Sequence, residues 1–146
     1  MFTLNYSVTI KSTPEIVWQN LWNDETYREW SSAFMEGSYA ESSWEEGGKI
    51  AFLTPDKNGM FGIIKKKVVN SEMTFKHLGE IKNGIEEPKN WENATESYRL
   101  SQTEDGTLVK VLLTMDEANQ EFENYFNEAF PKGLAILKQI CEKQIV

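Results

Sequence analysis

Between residues 37 and 115 the chain alternates polar and apolar side chains in run after run, and the runs are joined by turns of a few residues. The period-two segments are 37–43, 48–54, 60–69, 72–82, 94–103 and 107–115. The joints are Glu46-Gly47-Gly48, Asp56-Lys57-Asn58-Gly59, Asn70-Ser71 and Glu104-Asp105-Gly106, residue types whose backbones accept tight turns. Strands joined so briefly must run antiparallel, because a parallel return needs a long crossover. Residues 83–93 (NGIEEPKNWEN) read as too polar and too proline-broken for a strand, hence as a long loop of the kind that often carries function.

The flanks complete the pattern. Residues 3–10 alternate, with Leu4, Tyr6, Val8 and Ile10 on one face, and predict a seventh strand. Ser12-Thr13-Pro14-Glu15 then opens a helix, with a capping hydroxyl, a first-turn proline and an acid near the positive end. Asn23-Asp24 starts a second short helix that runs through Trp30. From Asn119 to Lys143 an apolar stripe recurs at helical spacing: Phe122, Phe126, Phe130, Leu134, Leu137 and Cys141 lie on it. Pro131 falls inside that helix and predicts a kink or a junction between two pieces. The order predicts an α+β fold, a curved seven-stranded antiparallel sheet wrapped around a long C-terminal helix, with two short helices after the first strand. At 146 residues without linker or repeat, it reads as one domain over 1–146.

Several stretches together resemble a known family. They are Thr13-Pro14-Glu15-Ile16-Val17-Trp18, Tyr27-Arg28-Glu29-Trp30, Trp44-Glu45-Glu46-Gly47-Gly48-Lys49-Ile50, Gly59 through Gly62, Met73-Thr74-Phe75-Lys76-His77, Gly106-Thr107, and Tyr125-Phe126 through Pro131-Lys132-Gly133-Leu134. In this order they resemble the START-like, or SRPBCC, superfamily with its helix-grip fold. Within it they are most similar to small bacterial proteins related to the C-terminal domain of the activator of Hsp90 ATPase. The resemblance implies a cavity between helix and sheet that commonly receives hydrophobic small molecules such as lipids, polyketides, sterols or plant hormones. Relatives of this architecture include carriers, receptors, cyclases and co-chaperones, so function must be argued from the residues.

Charge and composition narrow the partners. The net charge of −8, from 23 acidic and 15 basic residues, repels phosphate backbones, and nucleic acid is not expected as a partner. Lys65-Lys66-Lys67 alternate across a strand and cannot all face one ligand, so they read as a solvated strand end. No run approaches the ~20 apolar residues of a membrane span, and the N-terminus lacks the marks of a signal peptide, so the expected location is the cytoplasm. One cysteine, Cys141, and one histidine, His77, make no familiar zinc set, and neither metal nor cofactor is expected. Cys141 on the apolar stripe reads as buried and inert. Glu45-Glu46 and Glu86-Glu87 read as solvated surface.

Aromatic residues make up 12% of the chain, with five Trp, more large rings than one core of this size requires. Strand parity groups them. If Met73 and Phe75 face inward, so does His77; Ile50 pairs with Phe52, Tyr98 with Leu100, and Val111 with Leu113. Trp30 and Phe34 follow the short helices, where the resemblance places the cavity mouth, and Phe122, Phe126 and Phe130 form the lid face of the long helix. This lining is aromatic with two polar handles, His77 and Tyr98. It fits a ligand pocket, which is the preferred reading, and it also fits a filled core.

His77 is a weak catalytic candidate. Lys76 and Leu78 point to the other face, so no orienting carboxylate or nucleophile adjoins it in sequence, and Tyr98 is the natural partner from another strand. Three functions remain: binding of a small hydrophobic ligand, which is preferred; an Hsp90-activator-like interaction with a chaperone or other protein; and a pocket hydrolase, cyclase or dehydratase using His77. The enzyme reading ranks below binding for want of an acid–base set.

Overall fold

The computed structural model of the chain describes residues 1–117 and 119–144. Strand β1 (Phe2–Ile10) leads to α1 (Pro14–Trp22) and α2 (Asp24–Ser31), followed by β2 (Tyr39–Ser42), β3 (Lys49–Leu53), β4 (Gly59–Val68), β5 (Glu72–Lys82), β6 (Ile85–Pro88), β7 (Thr95–Thr103), β8 (Gly106–Met115) and α3 (Gln120–Lys143). Every strand pairing is antiparallel, and the sheet order is β1-β8-β7-β5-β4-β3-β2 with β6 added on β5. The curved sheet with its long helix is the helix-grip fold, and all seven strands predicted from alternation are present.

The eighth strand is the departure. Residues 83–93 are not wholly a loop: Asn83 and Gly84 turn at positive φ, and Ile85–Pro88 pair with Gly79–Lys82. Polarity misled here because this short strand is largely solvent-exposed and is ordered by its backbone pairing with β5 rather than by buried apolar side chains. The remainder, Lys89 to Ala94, is the stretch that reaches the site described below.

Side chains cap the helices where their chemistry predicts. The Thr13 hydroxyl accepts the Ile16 amide at α1, and Asn23 Oδ1 accepts from Glu25 at α2. At α3, Asn119 Oδ1 accepts from Glu121 and Phe122, satisfying two of the amides left orphaned at a helix start. Pro131 lies inside one uninterrupted helix and marks no junction, although its missing N–H leaves the Asn127 carbonyl without its helical donor.

The core joins the inward faces of β1, β5, β7 and β8 to the second half of α3. Ile10, Phe75, Val109 and Leu137 are fully buried, and Leu134 and Cys141 nearly so. Burial pushes the Cys141 thiol up to about 11, so it is an inert packing group. Gly133 lets α3 approach α2 closely: a Cβ there would stand 3.2 Å from the Trp30 carbonyl oxygen. The first turns of α3, from Gln120 to Glu128, have no such burial. Phe122 is 54% exposed and Tyr125 44%, and these turns overhang the site.

Candidate functional site

A fork in the sheet makes the site. Up to Lys76, β5 pairs with β7; from Gly79 onward the same edge pairs with β6. Between these partners the His77 amide donates to the Ala94 carbonyl at 2.8 Å, and the Lys89 amide donates to Leu78 at 2.9 Å. On the other edge the β4 register shifts between Phe61 and Gly62, and Gly62 stands opposite His77. Only a glycine fits there, since a Cβ would lie 2.0 Å from the Lys76 carbonyl oxygen. The fork therefore opens where His77 turns inward.

A cleft of about 1020 Å³ fills the opening, at the upper end of the ~300–1,000 Å³ usual for small-molecule sites. Trp30, Phe34, Phe52, His77, Tyr98 and Leu113 line it, and Phe122, Phe126 and Phe130 reach over it from α3. Ile50, Met73, Phe75, Leu100 and Val111 lie instead in the packed core. Parity gave their face correctly, but other rings cover them. Phe75 is enclosed by Trp22, Trp44, Phe52 and Tyr98, with centroids 5.1–6.5 Å away. The chain thus has both a filled aromatic core and a cleft beside it, and Tyr27, Trp30, Tyr98, Leu113 and Phe130 belong to both.

The polar end of the cleft is built around Glu96. His77 Nε2 lies 3.0 Å from Glu96 Oε1, and the Tyr98 hydroxyl donates to Glu96 Oε2. A carboxylate accepting on both oxygens fixes the imidazole with its proton on Nε2. Glu96 is largely buried, its side chain 18% exposed. Burial foremost, and then the negative charge of Glu96, raise the phenols of Tyr27 and Tyr98 above the ordinary tyrosine value. His77 Nδ1 and Ser31 Oγ, on residues that line the cleft, are buried without a hydrogen-bond partner among the described residues. An unsatisfied buried polar atom costs ~1–3 kcal/mol, a burden stability alone would not favour.

A second polar set anchors the wall formed by residues 89–94. Asp116 Oδ2 accepts the Glu92 and Asn93 amides at 3.1 and 3.4 Å, while Oδ1 accepts from Asn93 Nδ2 at 2.8 Å. These bonds hold the Asp116 carboxyl below the usual carboxylate range, the Asn93 side chain first among the causes. Thr114 donates to the Asn93 carbonyl at 2.6 Å, so its contact with Thr95 at 2.5 Å must use the Thr95 proton.

Glu96 was missed by a sequence reading that named Tyr98 as the partner of His77. The signal was present: Glu96 is two residues before Tyr98 and shares its face. Tyr27 and Ser31 carry no comparable signal, because α2 brings them in by tertiary placement, whereas the Lys89–Ala94 wall falls largely within the 83–93 stretch expected as a functional loop. No group of three or more His, Cys, Asp or Glu among the described residues is arranged to hold a metal ion. No helix among them is long and apolar enough to cross a membrane.

The sequence matches the family described as Activator of Hsp90 ATPase homolog 1-like protein over residues 11–142. The chain belongs to this family. No curated protein matches it. Among solved structures, the AHSA1-like chain is similar to the Aha1 dimer from Colwellia psychrerythraea, with 21% identity, 97% of each chain covered and a TM-score of 0.74. It also resembles a Mesorhizobium loti protein (12% identity, 99% of this chain and 100% of that one, TM-score 0.75) and a Nitrosomonas europaea protein (16%, 97% and 95%, TM-score 0.73). At such identities these likenesses show the fold, and the AHSA1-like fold is consistent with ligand binding or with an Hsp90-activator-like role.

Proposed function

We propose that this AHSA1-like protein binds one small hydrophobic molecule in the cleft, oriented at its inner end by Glu96, His77 and Tyr98. The observation that carries the reading is a cleft of about 1020 Å³ beside a filled core, with the rings of Phe122 and Tyr125 exposed at its rim and those of Phe34, Phe52 and Phe126 half-buried. Large apolar surface kept out of a core is retained for contact with something else. Apolar walls with a few convergent polar groups are the usual form of a ligand site.

Titration with N-phenyl-1-naphthylamine, a neutral apolar fluorophore, tests this. Saturable enhancement at one probe per chain is the expected result. A linear, unsaturable signal would refute the reading.

A protein partner is the second reading, favoured by the exposed rim of Met35, Phe122 and Tyr125 at the cleft mouth and by the family itself. The Colwellia relative is described as an Aha1 dimer, and a second copy or a chaperone would cover such a rim. Light scattering of the protein alone and with Hsp90 distinguishes these partners from a free small molecule.

A further inference from the structure

We infer that the cleft selects a lipophilic cation, an apolar and preferably aromatic body carrying an ammonium or similar donor-rich head, over neutral or anionic ligands of the same shape. This rests on the reading of the cleft as a ligand site and names the ligand's chemical class.

The hydrogen-bond polarity of the inner end is the first argument. Glu96 reaches the cleft with both oxygens already receiving donors, one from His77 and one from Tyr98, and each oxygen keeps further acceptor capacity. Because Tyr98 gives its only proton to Glu96, its oxygen has only lone pairs left to offer. In the neutral imidazole with its Nε2 proton turned to Glu96, the unpartnered Nδ1 of His77 is likewise an acceptor. His77 is 7% exposed and Ser31 2%, and each lines the cleft while carrying a buried polar atom without a partner among the described residues. The groups at this end mostly accept, and the Ser31 and Tyr27 hydroxyls can turn either way. A ligand head that donates matches them, and a carboxylate would meet Glu96 as a like charge.

Charge and aromatic rings act in the same direction. Besides Glu96, the lining includes Glu80, Glu92, Asp116 and Glu117, with Lys89 as the lining lysine. A cleft whose carboxylates outnumber its lysine concentrates cations, and the net charge of −8 adds to that field. Tyr27, Trp30, Phe34 and Tyr98 line the same cleft, and aromatic rings attract cations that meet their faces.

The test uses three fluorescent ligands with one body and different heads: 2-(1-naphthyl)ethylamine, 2-(1-naphthyl)ethanol and 1-naphthylacetate, titrated against wild type and Glu96→Gln at moderate salt. The expected order is amine, then alcohol, then carboxylate, with the amine at least tenfold tighter than the carboxylate. Glu96→Gln should reduce that ratio severalfold. If all three bind with no preference for the amine, or if the preference survives Glu96→Gln in full, the inference is wrong and the ligand site stands. If none binds while N-phenyl-1-naphthylamine saturates, the inference is again overturned alone. If neither the series nor that probe binds, the ligand site falls with it.

Discussion

Glu96 holds His77 and Tyr98 at once, with Oε1 3.0 Å from His77 Nε2 and Oε2 accepting the Tyr98 hydroxyl. One carboxylate thereby ties β7 to β5 at the point where the sheet forks. Replacing Glu96 by Leu leaves a buried phenol and a buried imidazole without their partner, each an unsatisfied group worth ~1–3 kcal/mol. Urea unfolding should show Glu96→Leu destabilised by more than Glu96→Gln, which keeps an acceptor. Equal stability of the two variants would mean that the bridge contributes nothing to the fold.

Phe75 and Phe126 separate core from cleft. Phe75 is fully buried among rings, and Phe75→Ala should cost ~3–5 kcal/mol through the cavity it leaves. Phe126 is half-buried and already borders open space. Phe126→Ala should therefore cost well under that, while changing the affinity of an apolar probe. A core-sized loss at Phe126, with no probe uptake by the wild type, would make the aromatic lining packing only.

His77→Gln tells an orienting group from a general base. Loss of one neutral hydrogen bond should weaken ligand binding by ~1 kcal/mol. For a general base, turnover of a true substrate would instead fall by ~10²–10⁴ with binding retained.

Alkaline pH should expose Tyr27 and Tyr98. Both phenols have folded-state pKa values raised above the ordinary 10.0, by burial first and the Glu96 charge second. The folded chain thus keeps protons that the unfolded chain releases, so their stabilisation is complete below about pH 10 and is lost as pH rises further. A spectrophotometric titration should leave these two tyrosines un-ionised until the protein unfolds. Reversible ionisation of all the tyrosines near pH 10 with the fold intact would contradict the buried setting.

Acid should release the cleft wall. The Asp116 pKa lies below 3.8, so its hold on Glu92 and Asn93 is present above that value and lost as pH falls through the lowered one. The Glu92 and Asn93 amide resonances should titrate with a midpoint below 3.8, and Asp116→Asn should abolish the transition. A midpoint at or above 3.8 would mean that the clamp does not form in solution.

Much of this architecture could be read from alternation and turn chemistry, because period-two runs with short joints leave little choice of pairing. Thr13, Asn23 and Asn119 fixed the helix starts through local bonds. What escaped depended on other elements. The strand at Ile85–Pro88 is polar because its side chains face water, so no pattern marks it. Parity put His77, Tyr98, Phe75 and Met73 on one face, yet it carries no information on which of them other rings would cover. Glu96 obeyed the same parity, and an expectation of apolar walls passed over a carboxylate whose buried place is stabilised by two donors.

The most direct test of the central claim is mapping N-phenyl-1-naphthylamine onto the protein by amide and aromatic chemical shifts. Saturable perturbations should cluster on Trp91, Tyr98, Phe126 and their neighbours around the cleft. Perturbations centred on the shallow hollow of the opposite sheet face, at Asn5, Ser7, Arg99 and Lys110, or none that saturate, would contradict a ligand site between sheet and helix.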